Sequence, residues 1–170
     1  GIKRRWKLTI VMQPCFSGYV APDPTGTVCA DPDKYAFWDV EHPTTRVHEL
    51  LAAPATRIVM LTVTEKGYCH DPATGRLNVD HPDIVHDLAH PDEPRTVVGL
   101  LHWALARRRA THGGALSIVC CDNLPQNGAL LEGLVVNFAN ERDPSLAAWI
   151  GEHAGFPSTM VDRIVPATTA

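Results

Sequence analysis

The chain has 170 residues, with 15 Lys and Arg against 19 Asp and Glu, so its formal net charge is −4 with histidine neutral. That length suits one domain with a sizeable core, and a composition 45% hydrophobic and 20% charged argues against disorder. A mildly acidic chain is a poor partner for nucleic-acid phosphate, and no apolar run reaches the roughly 18–20 residues of a membrane span.

The first 43 residues are broken by Pro14, Pro22, Pro24 and Pro32, with Gly18 and Gly26 between them, which predicts short strands and turns, one of them over 7–13. Thr44 or Thr45 can cap a helix to about Ala53 whose apolar face carries Val47, Leu50 and Leu51; Pro54 stops it. Residues 57–64 are a continuous, β-branched apolar run, as in a parallel strand covered on both faces. Residues 65–80 read as loop, with Asp80 capping a short helix over 81–90. Residues 94–112 predict the best helix, with Val97, Leu101, Ala104 and Leu105 on one face, Arg107–Arg109 at its solvated C-terminus and Gly113-Gly114 ending it. A second buried strand follows over 115–120, then helices over 128–140 and 145–152, and a strand or loop over 160–165. Strand, helix, strand, helix is a βαβ unit. The fold class is α/β, Rossmann-like, a largely parallel sheet with helices on both faces and an atypical N-terminal part.

Five scattered cysteines at 15, 29, 69, 120 and 121 form no CxxC pair, so neither a zinc framework nor a redox motif is expected. The chain reads as reduced and cytoplasmic, and its basic first six residues precede no signal-peptide core. His81, His86 and His90 lie within ten residues, and the last two stand at i,i+4, a spacing that can hold a metal. No cysteine or carboxylate completes a set, so exposed or capping histidines are the plainer reading and no metal is expected. Cys121 beside Asp122 could suggest a Cys/His nucleophile, but a strand cysteine is more often inert packing. Trp103 and Trp149 are expected to pack helices on the sheet.

In open α/β sheets, ligands bind beyond the carboxyl ends of the strands. The first strand run delivers Thr64, Glu65 and Lys66; the second delivers Cys121, Asp122 and Asn123, followed by Asn127-Gly128 opening a helix. The same residue types also cap loops and helices, so both roles stand open at this point.

Thr62-Val-Thr-Glu-Lys-Gly-Tyr68, Cys121-Asp-Asn-Leu-Pro-Gln-Asn-Gly128 and Phe156-Pro-Ser-Thr-Met-Val-Asp-Arg-Ile-Val-Pro166 resemble the long-chain polyol dehydrogenases, the family of mannitol 2-dehydrogenase and fructuronate reductase type. The resemblance covers about 44–170. It implies metal-free, NAD- or NADP-dependent interconversion of a sugar alcohol or hexonate and its ketone. Residues 1–43 would be an atypical segment packed on the sheet, 44–170 a partial dinucleotide-binding domain, and the C-terminal catalytic domain, with its lysine base, absent. By the same resemblance, Asn123 polarises the substrate oxygen, a role a neutral amide can fill without titrating. Glu65 resembles a gate for proton exchange, and Asp162 lies at the substrate and nicotinamide end. Thr64, Lys66 and Asp122 complete the substrate- and cofactor-binding candidates. Gln126 stands where the family often has His, and Ser158-Thr159 replaces an Asn-Ser type pair. No GxGxxG occurs, so the chain alone is expected to bind nucleotide weakly or not at all, and without the lysine base it is expected to be inactive. The alternative is a non-catalytic remnant, or a binding or dimerisation module with an exposed docking face.

Overall fold

The structure is a computed structural model that describes residues 10–14, 17, 26–31, 34–37, 45–63, 65–122 and 124–160. They belong to two compact units, Gly1–Ala53 and Pro54–Ala170. In the first, β1 (Ile10–Pro14) and β2 (Tyr35–Phe37) pair in parallel, and α1 (Thr45–Ala52) follows. Ser17 and Thr27 are tied by backbone and hydroxyl bonds of 2.8–3.0 Å. Cys29 is disulfide-bonded, which corrects the expectation of a fully reduced chain. A cross-link restrains a Pro- and Gly-rich stretch that has few regular elements of its own.

The second unit is built on a parallel sheet of three strands. Ordered β3-β6-β7, it consists of β3 (Ile58–Leu61), β6 (Leu116–Cys120) and β7 (Ala154–Gly155). β6 is central and buries Leu116, Ile118 and Cys120. β3 was expected to be covered on both faces, and is not. Only Val59 is buried, while Ile58 is 64% and Met60 69% exposed. A β-branched apolar run marks a strand but does not say which neighbours cover it.

Between β3 and β6 the chain makes a short 3-10 helix (Glu65–Tyr68), the hairpin of β4 (His70–Asp71) and β5 (Arg76–Leu77), then α2 (Pro82–Ala89) and α3 (Val97–Ala110). The hairpin replaces the expected loop. Its turn is set by the Asp71 carboxylate, which accepts from the Ala73 amide at 2.9 Å and the Thr74 hydroxyl at 3.0 Å. His81, not Asp80, caps α2, its Nδ1 accepting from the Asp83 amide at 3.2 Å.

α3 starts at Thr96, whose hydroxyl accepts from the Gly99 amide at 2.9 Å. The fully buried Asp87 carboxylate accepts in turn from the Arg95 amide, the Thr96 amide and the Thr96 hydroxyl at 2.7–2.9 Å. A Cβ on Gly99 would lie 2.2 Å from Asp87 Oδ2, so only glycine admits this approach. α3 is buried nearly all round rather than on one face, because α4 (Asn127–Arg142), α2 and the 3-10 helix all pack against it. Arg107 is exposed, as expected of a solvated end, but the other two arginines are not. Arg108 is fully buried and donates to the Gly114 carbonyl at 2.7 Å, Arg109 pairs with Asp143, and Arg107 lies over the Trp103 ring. His112, at φ +53°, makes the left-handed step after the helix that was expected of the Gly113-Gly114 pair. α4 packs against α5 (Pro144–His153), whose first turn is capped by Asp143.

Candidate functional site

The carboxyl ends of β3 and β6 lie side by side, Leu61 opposite Cys120, and the Cys121 amide extends the pairing with a 2.7 Å bond to the Leu61 carbonyl. Each strand is followed at once by polar residues. After β3, the 3-10 helix carries Lys66 exposed at its surface and turns Tyr68 inward, where it is 1% exposed. After β6, Asp122 is buried.

These two meet. The Tyr68 hydroxyl donates to Asp122 Oδ2 and lies 3.5 Å from Cys120 Sγ, while Asp122 Oδ1 accepts from the Leu124 amide at 3.2 Å. Burial first, then the bonds to Asp122 and Cys120, push the Tyr68 phenol above its usual value, so it stays a donor. Burial likewise raises the Cys120 thiol, which keeps it an inert packing group.

Asn127 joins the third segment to the same place. Its side chain is 1% exposed. Its Nδ2 faces the carbonyls of Asp122 at 3.1 Å, Thr159 at 3.3 Å and Cys120 at 3.4 Å, and the Thr159 hydroxyl at 3.2 Å. Its Oδ1 accepts from the amides of Gly128 at 2.8 Å and Thr159 at 2.9 Å. The Thr159 hydroxyl donates to the Cys120 carbonyl, and Ser158 Oγ accepts from the Gly128 amide at 3.2 Å. A Cβ on Gly128 would lie 2.2 Å from the Phe156 carbonyl oxygen. Gln126, at φ +51°, brings the chain into α4 at the required angle. Tyr68, Asp122, Asn127, Gly128, Ser158 and Thr159, drawn from all three motif segments, therefore form one hydrogen-bonded cluster at the carboxyl ends of β3 and β6.

Of the residues singled out from sequence, Glu65 opens the 3-10 helix after β3 and Lys66 lies within it, while Asp122 lies in the loop after β6. Thr64, Asn123, Asp162 and the Glu65 side chain lie outside the described residues. Asn123 is flanked by Asp122 and Leu124, which the Asp122 carboxylate binds together. Sequence reasoning assigned no role to Tyr68, Asn127 or Thr159. The available signal was their position inside the three motifs, since a Tyr ending a strand-turn segment and an Asn opening a helix both carry a polar handle that needs a partner when buried.

The first turns of the described helices in this unit are engaged by the chain itself: His81 at α2, Thr96 and Asp87 at α3, Asn127 and Ser158 at α4, Asp143 at α5. A dinucleotide's pyrophosphate needs free amides at a helix N-terminus. The described helix N-termini of this unit are thus capped by the chain's own groups rather than left open to a phosphate.

A family model described as "Mannitol dehydrogenase Rossmann domain" matches residues 35–170. The chain belongs to the mannitol dehydrogenase Rossmann domain family. The D-mannonate oxidoreductase of Escherichia coli (strain K12) is 50% identical over 119 residues, covering 70% of this chain and 24% of that protein. The uncharacterized oxidoreductase YeiQ of the same organism is 50% identical over 121 residues, 71% of this chain and 25% of its own length. Among solved structures, the Pseudomonas fluorescens mannitol 2-dehydrogenase, in a ternary complex with NAD and D-mannitol, superposes with a TM-score of 0.66 at 45% identity, over 74% of this chain and 25% of that one. The chain spans about a quarter of the length of these relatives. The match confirms the Rossmann-like, parallel-sheet reading and the family resemblance carried by the three motifs. Among the described residues, no helix is long and apolar enough to cross a membrane, and no group of three or more His, Cys, Asp and Glu side chains could hold a metal.

Proposed function

We propose that the chain is the cofactor-domain portion of an NAD- or NADP-dependent oxidoreductase that interconverts a sugar alcohol or hexonate and its ketone. The observation that carries this reading is the convergence of the three motif segments beyond the carboxyl ends of β3 and β6, tied by Tyr68–Asp122 and Asn127–Thr159. That is where open α/β sheets place ligands. The nicotinamide cofactor would supply or take the hydride. Within this chain, the Asn123 amide would donate to the substrate oxygen as negative charge develops on it, which needs a donor that does not titrate. Glu65 would relay the proton between solvent and a lysine base in the remaining domain. Thr64, Lys66 and Asp162 would border the same ligand end, while Asp122, already holding Tyr68 and the Leu124 amide, would shape the loop carrying Asn123. Alone the chain would carry out no turnover, because the base belongs to the other domain. Assay of the purified 170-residue chain with NAD or NADP and mannitol or a hexonate tests this. No nucleotide reduction is expected, and measurable oxidation would contradict it.

One observation favours a second reading. Ile58 and Met60 place two apolar side chains, 64% and 69% exposed, on one face of β3. Such a patch suits a non-catalytic module that associates through this face. Sedimentation at increasing concentration separates the two. A discrete dimer abolished by Met60→Lys supports the association module, and a monomer throughout removes it.

A further inference from the structure

α2 carries a pair of metal-ligating side chains away from the three-segment site. His86 and His90 stand one turn apart, their rings stacked with centroids 4.7 Å apart and planes at 24°. The hydrogen bonds fix which nitrogen of each ring holds its proton. His86 Nδ1 lies 3.1 Å from Asp87 Oδ1. Asp87 already accepts from the Arg95 amide, the Thr96 amide and the Thr96 hydroxyl, so it acts as an acceptor and His86 Nδ1 is the donor. His90 Nδ1 lies 3.2 Å from the His86 carbonyl, which can only accept, so it donates too. Each neutral ring then presents a lone pair at Nε2, and neither Nε2 has a partner among the described residues.

A histidine whose inner nitrogen donates to a carboxylate or carbonyl while its outer nitrogen is left open is the arrangement that orients imidazole toward a metal. We propose that His86 and His90 form a two-imidazole site for a divalent transition ion of the Zn²⁺, Ni²⁺ and Cu²⁺ class, which imidazole suits. A tetrahedral ion with metal–nitrogen bonds of about 2.0–2.1 Å holds two nitrogens roughly 3.4 Å apart, and side chains four residues apart on a helix share the face on which one ion would sit. Water completes the coordination, since no third protein ligand stands with them among the described residues. Charges of both signs flank the site. Asp92 and Glu93 follow His90 along the chain, and Arg142 donates to the Leu88 carbonyl. Because His90 is the C-cap of α2 and His86 is bonded to the carboxylate that caps α3, the ion would hold the α2–α3 junction. This site is independent of the dehydrogenase reading.

The test is calorimetric titration of Zn²⁺ and of Ni²⁺ into the full 170-residue chain, with His86→Gln, His90→Gln and, as control, His112→Asn, which keeps a residue tolerant of the left-handed backbone there. Far-UV circular dichroism verifies that each variant is folded. One saturable ion per chain is expected, weakened about tenfold or more in each of the two glutamine variants and unchanged in the control. The thermal midpoint should rise with metal only where the ion binds. Absence of saturable binding in the unmodified chain, binding that survives either glutamine substitution, or equal loss in the control overturns the proposal.

Discussion

The Tyr68 hydroxyl donates to the Asp122 carboxylate across 54 residues of sequence, with both groups buried. This single bond joins the turn after β3 to the turn after β6. Removing only the hydroxyl, in Tyr68→Phe, keeps the ring's packing and leaves a buried carboxylate short of a donor. A hydrogen bond to a charged group contributes about 1.5–3 kcal/mol, and a loss of that size is expected in denaturant unfolding. An unchanged midpoint would mean that the two turns are held by other contacts.

Asn127 ties the 156–160 segment to the end of β6 with both ends of its amide. Asn127→Ala should lower stability by about 2–3 kcal/mol, because several buried partners lose their match at once. Asn127→Asp should be no better, since it sets an acceptor against the carbonyls of Cys120, Asp122 and Thr159. Limited proteolysis should show faster cleavage within 156–160 in both variants, and cleavage as slow as in the parent chain would contradict the assigned role.

Two glycines of α4 make a matched pair. At Gly128 an added methyl meets backbone atoms of Phe156, Pro157 and Ser158 at 2.2–2.6 Å. Backbone cannot rotate away as a side chain can, so Gly128→Ala should cost about 1–3 kcal/mol or more. At Gly133 nothing lies within 4 Å. There Gly133→Ala should stabilise by about 1 kcal/mol, through helix propensity alone. Opposite signs in thermal unfolding are the expected outcome.

His102, 6% exposed against Phe138, has no hydrogen-bond partner on either ring nitrogen among the described residues. Burial first, then the positive charges of Arg142 and Arg109 against the opposing pull of Asp143, lowers it to about 4. The unfolded chain therefore takes up this proton at a higher pH than the folded one. Stability should be full above the ordinary histidine range and fall as pH drops from about 6.5 toward 4, by roughly 2 kcal/mol between pH 7 and pH 5. His102→Leu should flatten that part of the profile in denaturant titrations, and an identical slope in the variant would rule His102 out as its source.

Much of the second unit was legible in the sequence, because its elements obey simple periods. β6 and the helices over 97–110, 127–142 and 144–153 sit within a few residues of their predicted places. What escaped is what local pattern does not encode. Arg108 reads as a solvated helix end, yet its guanidinium is buried by the turn that carries Gly114. The β4–β5 hairpin depends on one carboxylate, Asp71, rather than on alternation, and β7 is only two residues long. In the site, the motifs located the three segments, but not the bonds between them. Tyr68 and Asp122 acquire their relation only when β3 and β6 pair.

On the proposed reading, the segments beyond β3 and β6 form the nicotinamide end of a dehydrogenase site. Titration of NADH into the isotopically labelled chain, followed by amide chemical shifts, tests it most directly. Weak binding is expected, since the described helix N-termini leave no cradle for pyrophosphate, with shifts concentrated in residues 62–68, 121–128 and 156–160. Shifts that leave these segments unmoved at high nucleotide, or that cluster elsewhere on the chain, would contradict the account.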